Sequence, residues 1–474
     1  FDQTPLEDAV YAKFRETVSH IELHNRKLDI PANESLRGFS RHECFPLKVL
    51  RRAKALMGFV LHSFSVEELF LASKHSQGSS IGVPFRDTSL ERKWFFPISV
   101  TERVKPVLDE YMLFDKSLRS AVVEHNRLWG NNSQIYNIVQ GSRATTVDKT
   151  ADKRRMIAVE PTGNMFLQQG LMHILYERMK SVGLDVKSLP TLHQKLARES
   201  SLSQKNATID FSSASDCVTI ELLRWLLPPE WFEWVMLLRC DSMELEGSWI
   251  DLPMVSTMGN ATTFPLETLV FWTLAHAVVL TKETENAIFP EWEDLKRCSV
   301  FGDDCILPTD HAPDFIQVCE SLGFIVNKEK SFYGSEKFRE SCGGDYLAGY
   351  NVRPFNIKAP TNTRISSLEP WLYVIGNGLL KKYIPYFGTL SYMYGKALWR
   401  TYFEWFTRYK IKIKIVPWFY PDDAGLKIGP DLGRFQYHYL FETDKIGVDR
   451  HGCYTFRYCR FNYRERLKWN ENLR

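Results

Sequence analysis

Hydrophobic and polar positions along the chain change several times between helical and strand spacing. Apolar residues at helical spacing predict helices over Ser65–Ser73, Ser117–Arg127 and Asn164–Lys180. In Tyr409–Val416, Lys and Ile alternate, which predicts a strand with one basic face. The Gly- and Ser-rich segment Lys74–Asp87 predicts an exposed loop.

The middle of the chain mixes both patterns at short range. Ala207–Asp210 predicts a strand that ends in a carboxylate, and Asn260–Leu280 predicts a helix that is apolar nearly all round and therefore buried. Ser299–Phe301 and Cys305–Leu307 predict two short strands joined by a tight turn. The pattern therefore predicts an α+β fold with acidic residues at strand ends and turns.

Composition limits the class of protein. The chain has 474 residues, 44% hydrophobic and 14% aromatic, which excludes intrinsic disorder and predicts a soluble globular protein of two to four lobes. Nine cysteines without a CxxC pair argue against a disulfide framework or a zinc ribbon and favour a reducing cytoplasm. The longest strongly apolar stretch, Leu269–Leu280, is too short to cross a bilayer. The first residues, from Phe1, lack an initiator Met and do not resemble a signal peptide, so we expect the true start to lie upstream. We expect no membrane partner.

The formal net charge of +3 hides two basic regions. The first consists of Arg143, Lys149, Lys153, Arg154 and Arg155. An apolar run at 156–159 follows it, which predicts a basic loop leading into a strand. In the second, 450–474, basic residues alternate with aromatic ones, as suits phosphate contacts and base stacking. Ordinary solvated surfaces are the alternative for both.

The acidic residues carry the sharpest local pattern. Asp303 and Asp304 follow Gly302 in the predicted turn, and two adjacent carboxylates repel each other unless a cation binds. A plain turn is the alternative, because Gly and Asp are favoured there. Asp210, at the end of an apolar strand, is the candidate for a further metal ligand. Asp216 either shares this site or caps the following helix, a role worth about 1 kcal/mol.

The small polar loop Ser256–Glu267 lies between these segments and leads into the buried helix. Its Gly259 would let the backbone approach a ligand closely, and a simple helix-capping loop is the alternative. The order of these features resembles palm motifs A, B and C of RNA-dependent RNA polymerases. In detail the chain is similar to the replicases of RNA bacteriophages (leviviruses), in Asp210–Asp216, Leu227–Phe232, Ser256–Glu267, Val300–Pro308, Phe338–Gly343, Gly141–Arg143 and Ile157–Thr162.

This resemblance extends from about Gly141 to Phe355. It implies a right-hand polymerase with fingers at 1–200, including a basic nucleotide-binding motif at 141–166, a palm at 201–350 and a thumb at 351–474. Many viral polymerases have Ser-Gly and a later Asn in motif B, where this chain has Met258-Gly259 and Glu267. The levivirus group shares this form of motif B, so the difference favours that group among the RNA-dependent RNA polymerases.

The resemblance also implies a two-metal nucleotidyl transfer with Mg²⁺, for which Mn²⁺ can substitute. Asp210, Asp303 and Asp304 would be the catalytic residues and metal ligands. The nucleotide-binding residues would be Lys153, Arg154, Arg155, Asp216, Gly259 and Asn260. Lys330 is either the general acid that protonates pyrophosphate or a surface lysine.

The implied partners are an RNA template and product, NTPs, the host elongation factors Tu and Ts and a ribosomal small-subunit RNA-binding protein, in the cytoplasm of a bacterial host. Two other functions remain open at this point. A reverse transcriptase shares palm chemistry but needs an aromatic gate in place of the small polar loop after Asp210. A non-catalytic RNA-binding subunit would not need the three carboxylates and the basic motif in this order.

Overall fold

The computed structural model of the chain describes residues 4–27, 44–84, 86–131, 134–149, 153–283, 294–355, 360, 364–383, 401–416, 420–427, 438–448 and 454–462. The helices are α1 (Thr4–Lys27), α2 (Phe45–Val60), α3 (Val66–Ala72), α4 (Leu90–Lys93), α5 (Lys105–Phe114), α6 (Lys116–Leu128), α7 (Thr162–Ser181), α8 (Leu189–Ser203), α9 (Ile220–Leu226), α10 (Pro229–Leu238), α11 (Thr263–Glu283), α12 (Ala312–Ser321) and α13 (Ile365–Tyr383). The strands are β1 (Ile98–Val100), β2 (Tyr136–Ile138), β3 (Ser142–Asp148), β4 (Arg154–Val159), β5 (Asn206–Ile209), β6 (Phe211–Ser212), β7 (Ser242–Leu245), β8 (Ser248–Asp251), β9 (Ser299–Phe301), β10 (Asp304–Pro308), β11 (Ile325–Val326), β12 (Phe338–Ser341), β13 (Gly344–Leu347), β14 (Tyr350–Asn351), β15 (Ile415–Val416), β16 (Leu426–Lys427), β17 (His438–Val448) and β18 (Tyr454–Asn462). The fold is α+β, as the sequence predicts.

The chain divides into two compact units, Phe1–Arg353 and Pro354–Arg474. In the first unit, β5, β10 and β9 form an antiparallel sheet in that spatial order, with Ile209 opposite Cys305 and Asp304 opposite Phe301. A second sheet has the order β4-β3-β7-β8, in which β3 and β4 form an antiparallel hairpin. The two sheets carry the acidic and the basic candidate residues, respectively.

The core of the first unit is built around α11. The helix has apolar side chains on every face, and Phe271 stacks on Phe211 with ring centroids 4.3 Å apart. By length and composition α11 could cross a membrane, which corrects the expectation that no stretch reaches that length. However, 94% of its most apolar window is buried within the protein, as in the core helix of a globular protein.

Helix ends in the first unit follow ordinary capping chemistry. The side chain of Ser65 accepts a hydrogen bond from the Glu68 amide at the start of α3, and Asp115 does the same for Leu118 in α6. Both helices were predicted from their apolar spacing, and α7 confirms the third predicted helix. The loop Lys74–Asp87 is less exposed than predicted, because Ser80 is buried and lies 2.7 Å from the hydroxyl of Thr162.

The second unit packs around α13, whose buried Leu372 and Tyr373 meet Phe406 from the helical segment 401–408. The strand predicted over Tyr409–Val416 is wrong except for Ile415–Val416. Lys410 has a φ of 55°, and the Ile411 amide donates a hydrogen bond to the Phe406 carbonyl. This is the C-terminal cap of a right-handed helix, with one residue in the left-handed conformation. The Lys-Ile alternation therefore begins in a helix cap. The side chains of the basic-aromatic region 450–474 lie outside the described residues.

Candidate active site

The turn between β9 and β10 consists of Gly302 and Asp303, as the sequence predicts. Gly302 has a φ of 61°, which this kind of two-residue turn requires. Its amide donates a hydrogen bond of 2.9 Å to the Thr268 hydroxyl on α11. A Cβ at Gly302 would lie 2.8 Å from the Phe264 ring. The turn is therefore held tightly against the buried helix.

Asp210 follows β5 directly, one position beyond the Ile209–Cys305 pair, so it lies at the same end of the sheet as Asp304. Asn327 donates 2.7 Å from Nδ2 to Oδ2 of Asp210. The Ser331 hydroxyl accepts 3.1 Å from the Asp210 amide. Asn327 and Ser331 were not predicted from the sequence to belong to the site, although both lie close to Lys330 on the segment after β11.

The three carboxylates influence one another. Burial raises the pKa of Asp303, and burial followed by the charge of Asp303 raises the pKa of Asp210. The same two causes raise the pKa of Asp304 to about 7. The Cys342 amide donates 3.1 Å to Oδ2 of Asp304 and opposes this shift. The structure thus brings together the acids of two sequence segments and crowds negative charge.

These oxygens are the ligands that Mg²⁺ prefers. Within the described ranges, no group of three or more His, Cys, Asp and Glu side chains forms a site that could hold a metal ion. Mg²⁺ is nevertheless commonly held by one or two carboxylates together with water and substrate phosphates, without a complete protein cage. The crowded acids suit that kind of shared site.

Three cations, Lys149, Arg155 and Lys330, balance the negative charge of the acids. Lys149 was part of the predicted basic run but was not assigned to the site. Burial and the charges of Arg155 and Lys330 lower the pKa of Lys149, while Asp210 and Asp303 act in the opposite direction. Burial disfavours the charge of Lys330, but Asp210 and Glu340 outweigh it and raise the pKa of Lys330. Lys330 therefore stays protonated, with Nζ 3.6 Å from Oε1 of Glu340.

The predicted basic loop is in fact a hairpin, because the residues from Ser142 already pair with β4. Neighbouring side chains on a strand point to opposite faces, and this separates Arg154 from Arg155. Arg155 acts electrostatically on Asp303 and Asp216. Arg154 instead forms an ion pair with Glu7, so the structure does not bring it to the carboxylates. Lys153 is exposed at the start of the strand.

Asp216 does not cap the following helix. Thr219 does, since its hydroxyl accepts a hydrogen bond from the Leu222 amide. Asp216 lies in a 3₁₀ turn, and its Oδ1 is buried without a hydrogen-bond partner. Burial raises the pKa of Asp216 to about 7, against the charges of Lys13 and Arg155. The capping interpretation, an alternative for Asp216 in the sequence, is therefore wrong.

The loop before α11 supports the basic hairpin. Gly259 has a φ of 115°, and a Cβ there would lie 2.0 Å from the carbonyl oxygen of Ala158 on β4. Gly259 thus permits contact with the hairpin backbone. Asn260 is buried, and its Oδ1 accepts from both the amide and the hydroxyl of Thr262 at 2.8 Å. Glu267 is also buried, and burial followed by the charge of Asp303 raises its pKa well above the usual range, which favours its uncharged form.

Comparisons with known proteins show which family the chain is similar to. A family model described as "RNA replicase, beta-chain" matches residues 2–373. The RNA-directed RNA polymerase beta chain of Enterobacteria phage fr is 33% identical over 307 residues, which are 65% of this chain and 53% of that protein. The RNA-directed RNA polymerase subunit beta of Escherichia virus Qbeta is 38% identical over 245 residues, 52% of this chain and 39% of that protein. The beta chain of Enterobacteria phage GA is 31% identical over 316 residues, 66% of this chain and 56% of that protein. The chain spans about half the length of the curated relatives it matches.

Proposed function

Because the chain belongs to the RNA replicase beta-chain family, we propose that it is the RNA-directed RNA polymerase that replicates a positive-strand RNA phage genome. One observation carries the proposal: Asp210 meets Asp303 and Asp304 at one end of a sheet, with Lys149 and Arg155 around them. Nucleotidyl transfer needs mainly positioning and neutralisation of phosphate charge, and this arrangement supplies both.

Two Mg²⁺ ions, or Mn²⁺ in their place, would be held by Asp210 and Asp303, with Asp304 as a further ligand, and would activate the 3′-hydroxyl and neutralise the triphosphate. The protein's own groups do the rest. Arg155 and Lys149 bind the triphosphate, and Asn327 and Ser331 hold Asp210 in place.

Two further groups would act on the incoming nucleotide. Lys330, which stays protonated beside Asp210, donates a proton to the departing pyrophosphate. Asp216 recognises the ribose 2′-hydroxyl, and its buried oxygen without a hydrogen-bond partner supports that role. Asn260 contributes to the same selection through its amide group.

The proposal includes a right hand with fingers at 1–200, a palm at 201–350 and a thumb at 351–474. The carboxylates lie within the proposed palm and the basic hairpin within the proposed fingers. The division of the chain after Arg353 falls close to the proposed palm–thumb boundary. The proposed partners, which are the host factors Tu and Ts and the ribosomal protein, rest on the family alone. The proposed location in the bacterial cytoplasm also rests on the family. The seven cysteines among the described residues are free, as a reducing compartment favours.

The test is incorporation of labelled NTP on an RNA template with Mg²⁺, with and without added Tu and Ts. Wild type should incorporate GTP far better than dGTP, which separates an RNA polymerase from a reverse transcriptase. Asp303→Asn should abolish synthesis while leaving RNA binding nearly intact, because it removes a metal ligand's charge and leaves the basic residues in place. Asp310→Asn removes an exposed carboxylate beyond the other end of β10 and serves as the control. Synthesis by Asp303→Asn above about a tenth of the wild-type rate would contradict the catalytic assignment.

A further inference from the structure

Glu7, on the first helix α1, contacts both strands of the basic hairpin. Oε1 of Glu7 lies 2.8 Å from Nη1 of Arg154 on β4 and accepts a 3.0 Å hydrogen bond from the hydroxyl of Thr146 on β3. Glu7 therefore bridges both strands of the hairpin. The Arg154 guanidinium is further fixed by the Thr146 carbonyl at 3.2 Å and by Asp148 at 3.5 Å. Only 13% of the Arg154 side chain is exposed, so the pair is shielded from solvent on the arginine side.

The same helix is anchored along the rest of its length. Phe14 and Ile21 are buried in the core, and His20 is hydrogen-bonded to the Gly323 carbonyl at 2.9 Å. Nδ2 of Asn25 donates 2.7 Å to the Pro253 carbonyl. A helix is a stiff rod, so a group fixed on its first turn holds whatever it contacts at a defined place relative to the far end. α1 thus connects the hairpin to the segments that precede β11 and the Ser256–Glu267 loop.

Strand geometry turns this anchor into a constraint on the site. Arg154 and Arg155 are neighbours on β4 and point to opposite faces. When Glu7 holds Arg154 on one face, Arg155 must be on the other, where its charge reaches Asp303 and Asp216. A slip or twist of the hairpin would carry Arg155 away from the carboxylates.

We propose that Glu7 is a positioning residue: through Arg154 and Thr146 it holds the β3–β4 hairpin so that Arg155 meets the triphosphate of the incoming nucleotide. This inference rests on the proposed function. A purely structural explanation competes with it, because an acidic residue in the first turn of a helix stabilises that helix through its dipole. The two explanations differ in what Glu7→Gln should change.

The matched pair of variants is Glu7→Gln and Arg15→Gln. Arg15 lies on the same helix and forms an ion pair of 2.6 Å with Glu246, which does not involve the hairpin. In steady-state incorporation, Glu7→Gln should raise KM for NTP roughly 2- to 10-fold and leave kcat within about twofold, since one shielded charge-assisted contact is lost without touching the chemistry. Arg15→Gln should change neither. If Glu7→Gln instead lowers kcat and the melting temperature and leaves KM unchanged, Glu7 only stabilises the helix.

Hydrogen exchange gives a readout that does not depend on catalysis. Glu7→Gln should speed exchange of the amides of β4 and leave those of β9 and β10 at the wild-type rate, and Arg15→Gln should change neither. If wild type makes no RNA, the proposed function fails, yet this measurement still tests the positioning. Unchanged exchange in β4 would overturn the inference.

A double variant separates positioning from direct contact. If Glu7 acts through Arg154, Glu7→Gln combined with Arg154→Gln should be no worse than Arg154→Gln alone. If the effects on KM add, Arg154 contacts the nucleotide independently of Glu7, and the inference is wrong.

Discussion

Replacing Asp216 with Asn should make the protein more stable above neutral pH. The folded protein raises the pKa of Asp216 to about 7 from an ordinary value near 4, chiefly because burial disfavours the charged form. A carboxyl group whose pKa is raised by folding does not destabilise the protein at low pH, where it is protonated in both the folded and the unfolded state. The cost appears as the pH rises above the unfolded value and is complete above the folded one. Asn cannot ionise and avoids it.

The size of the gain follows from the pKa difference. About three units at 1.36 kcal/mol each give an upper limit of about 4 kcal/mol. Asp216 keeps some contact with solvent, which screens its charge, so we expect about 1–2 kcal/mol at pH 8. Glu267, whose pKa the charge of Asp216 also raises, should titrate more easily in the variant. The charge of Asp216 raises the pKa of the Cys217 thiol as well, so this thiol should also titrate more easily in the variant.

Urea unfolding followed by tryptophan fluorescence at pH 5 and pH 8 measures this difference. The gain of Asp216→Asn over wild type should be larger at pH 8 than at pH 5, and Asp251→Asn, which removes an exposed carboxylate on β8, should show no such gain. An equal gain at both pH values would refute the argument from burial. The same variant should lower the preference for GTP over dGTP about 2- to 12-fold, the value of one hydrogen bond to the ribose hydroxyl.

Two other predictions concern the groups that support the site. Gly259→Ala should lower the free energy of unfolding by more than Gly183→Ala, because both positions have a positive φ but only at Gly259 does the added Cβ meet a backbone atom. Melting temperatures of the two variants check this, and equal losses would contradict the contact with β4. Asn327→Leu should lower kcat about tenfold or more by freeing Asp210, with Glu329→Gln as an exposed control and single-turnover incorporation as the measurement. A wild-type rate for Asn327→Leu would mean that Asp210 needs no such support.

The sequence was sufficient for features that depend on short segments. Asp210 at a strand end and Asp303 in a two-residue turn are set by local hydrophobic pattern and turn chemistry, and the structure places them as predicted. The burial of α11 follows from its apolar residues on every face. The sequence did not reveal that Thr219 caps α9 in place of Asp216, because the helix begins only at Ile220, and capping depends on where the first turn starts.

Features that depend on distant partners could not be predicted. Arg154 belongs to a basic run, and nothing near it in the sequence indicates that Glu7 claims its guanidinium. The hydrogen bond from Asn327 to Asp210 joins residues 117 positions apart. Lys149 lies at the end of a strand whose pairing register determines where its charge goes. Each of these features depends on a tertiary contact, and the hydrophobic pattern of a local segment carries no information about such contacts.

The distance in sequence between Asp210 and its partners also matters while the chain is being made. A ribosome adds roughly 5–20 residues per second, so roughly 6–24 seconds pass before the Ser331 hydroxyl, 121 positions later, can follow the Asp210 amide out of the ribosome. For most of that interval β5 has no strand beside it, because β10 is made only shortly before Ser331, and the apolar nascent strand exposes an unpaired edge. The residues that give the folded protein its acidic centre are therefore a point at which newly made chains can associate wrongly. Yields of soluble protein should respond to cooler expression and to chaperones that shield nascent chains.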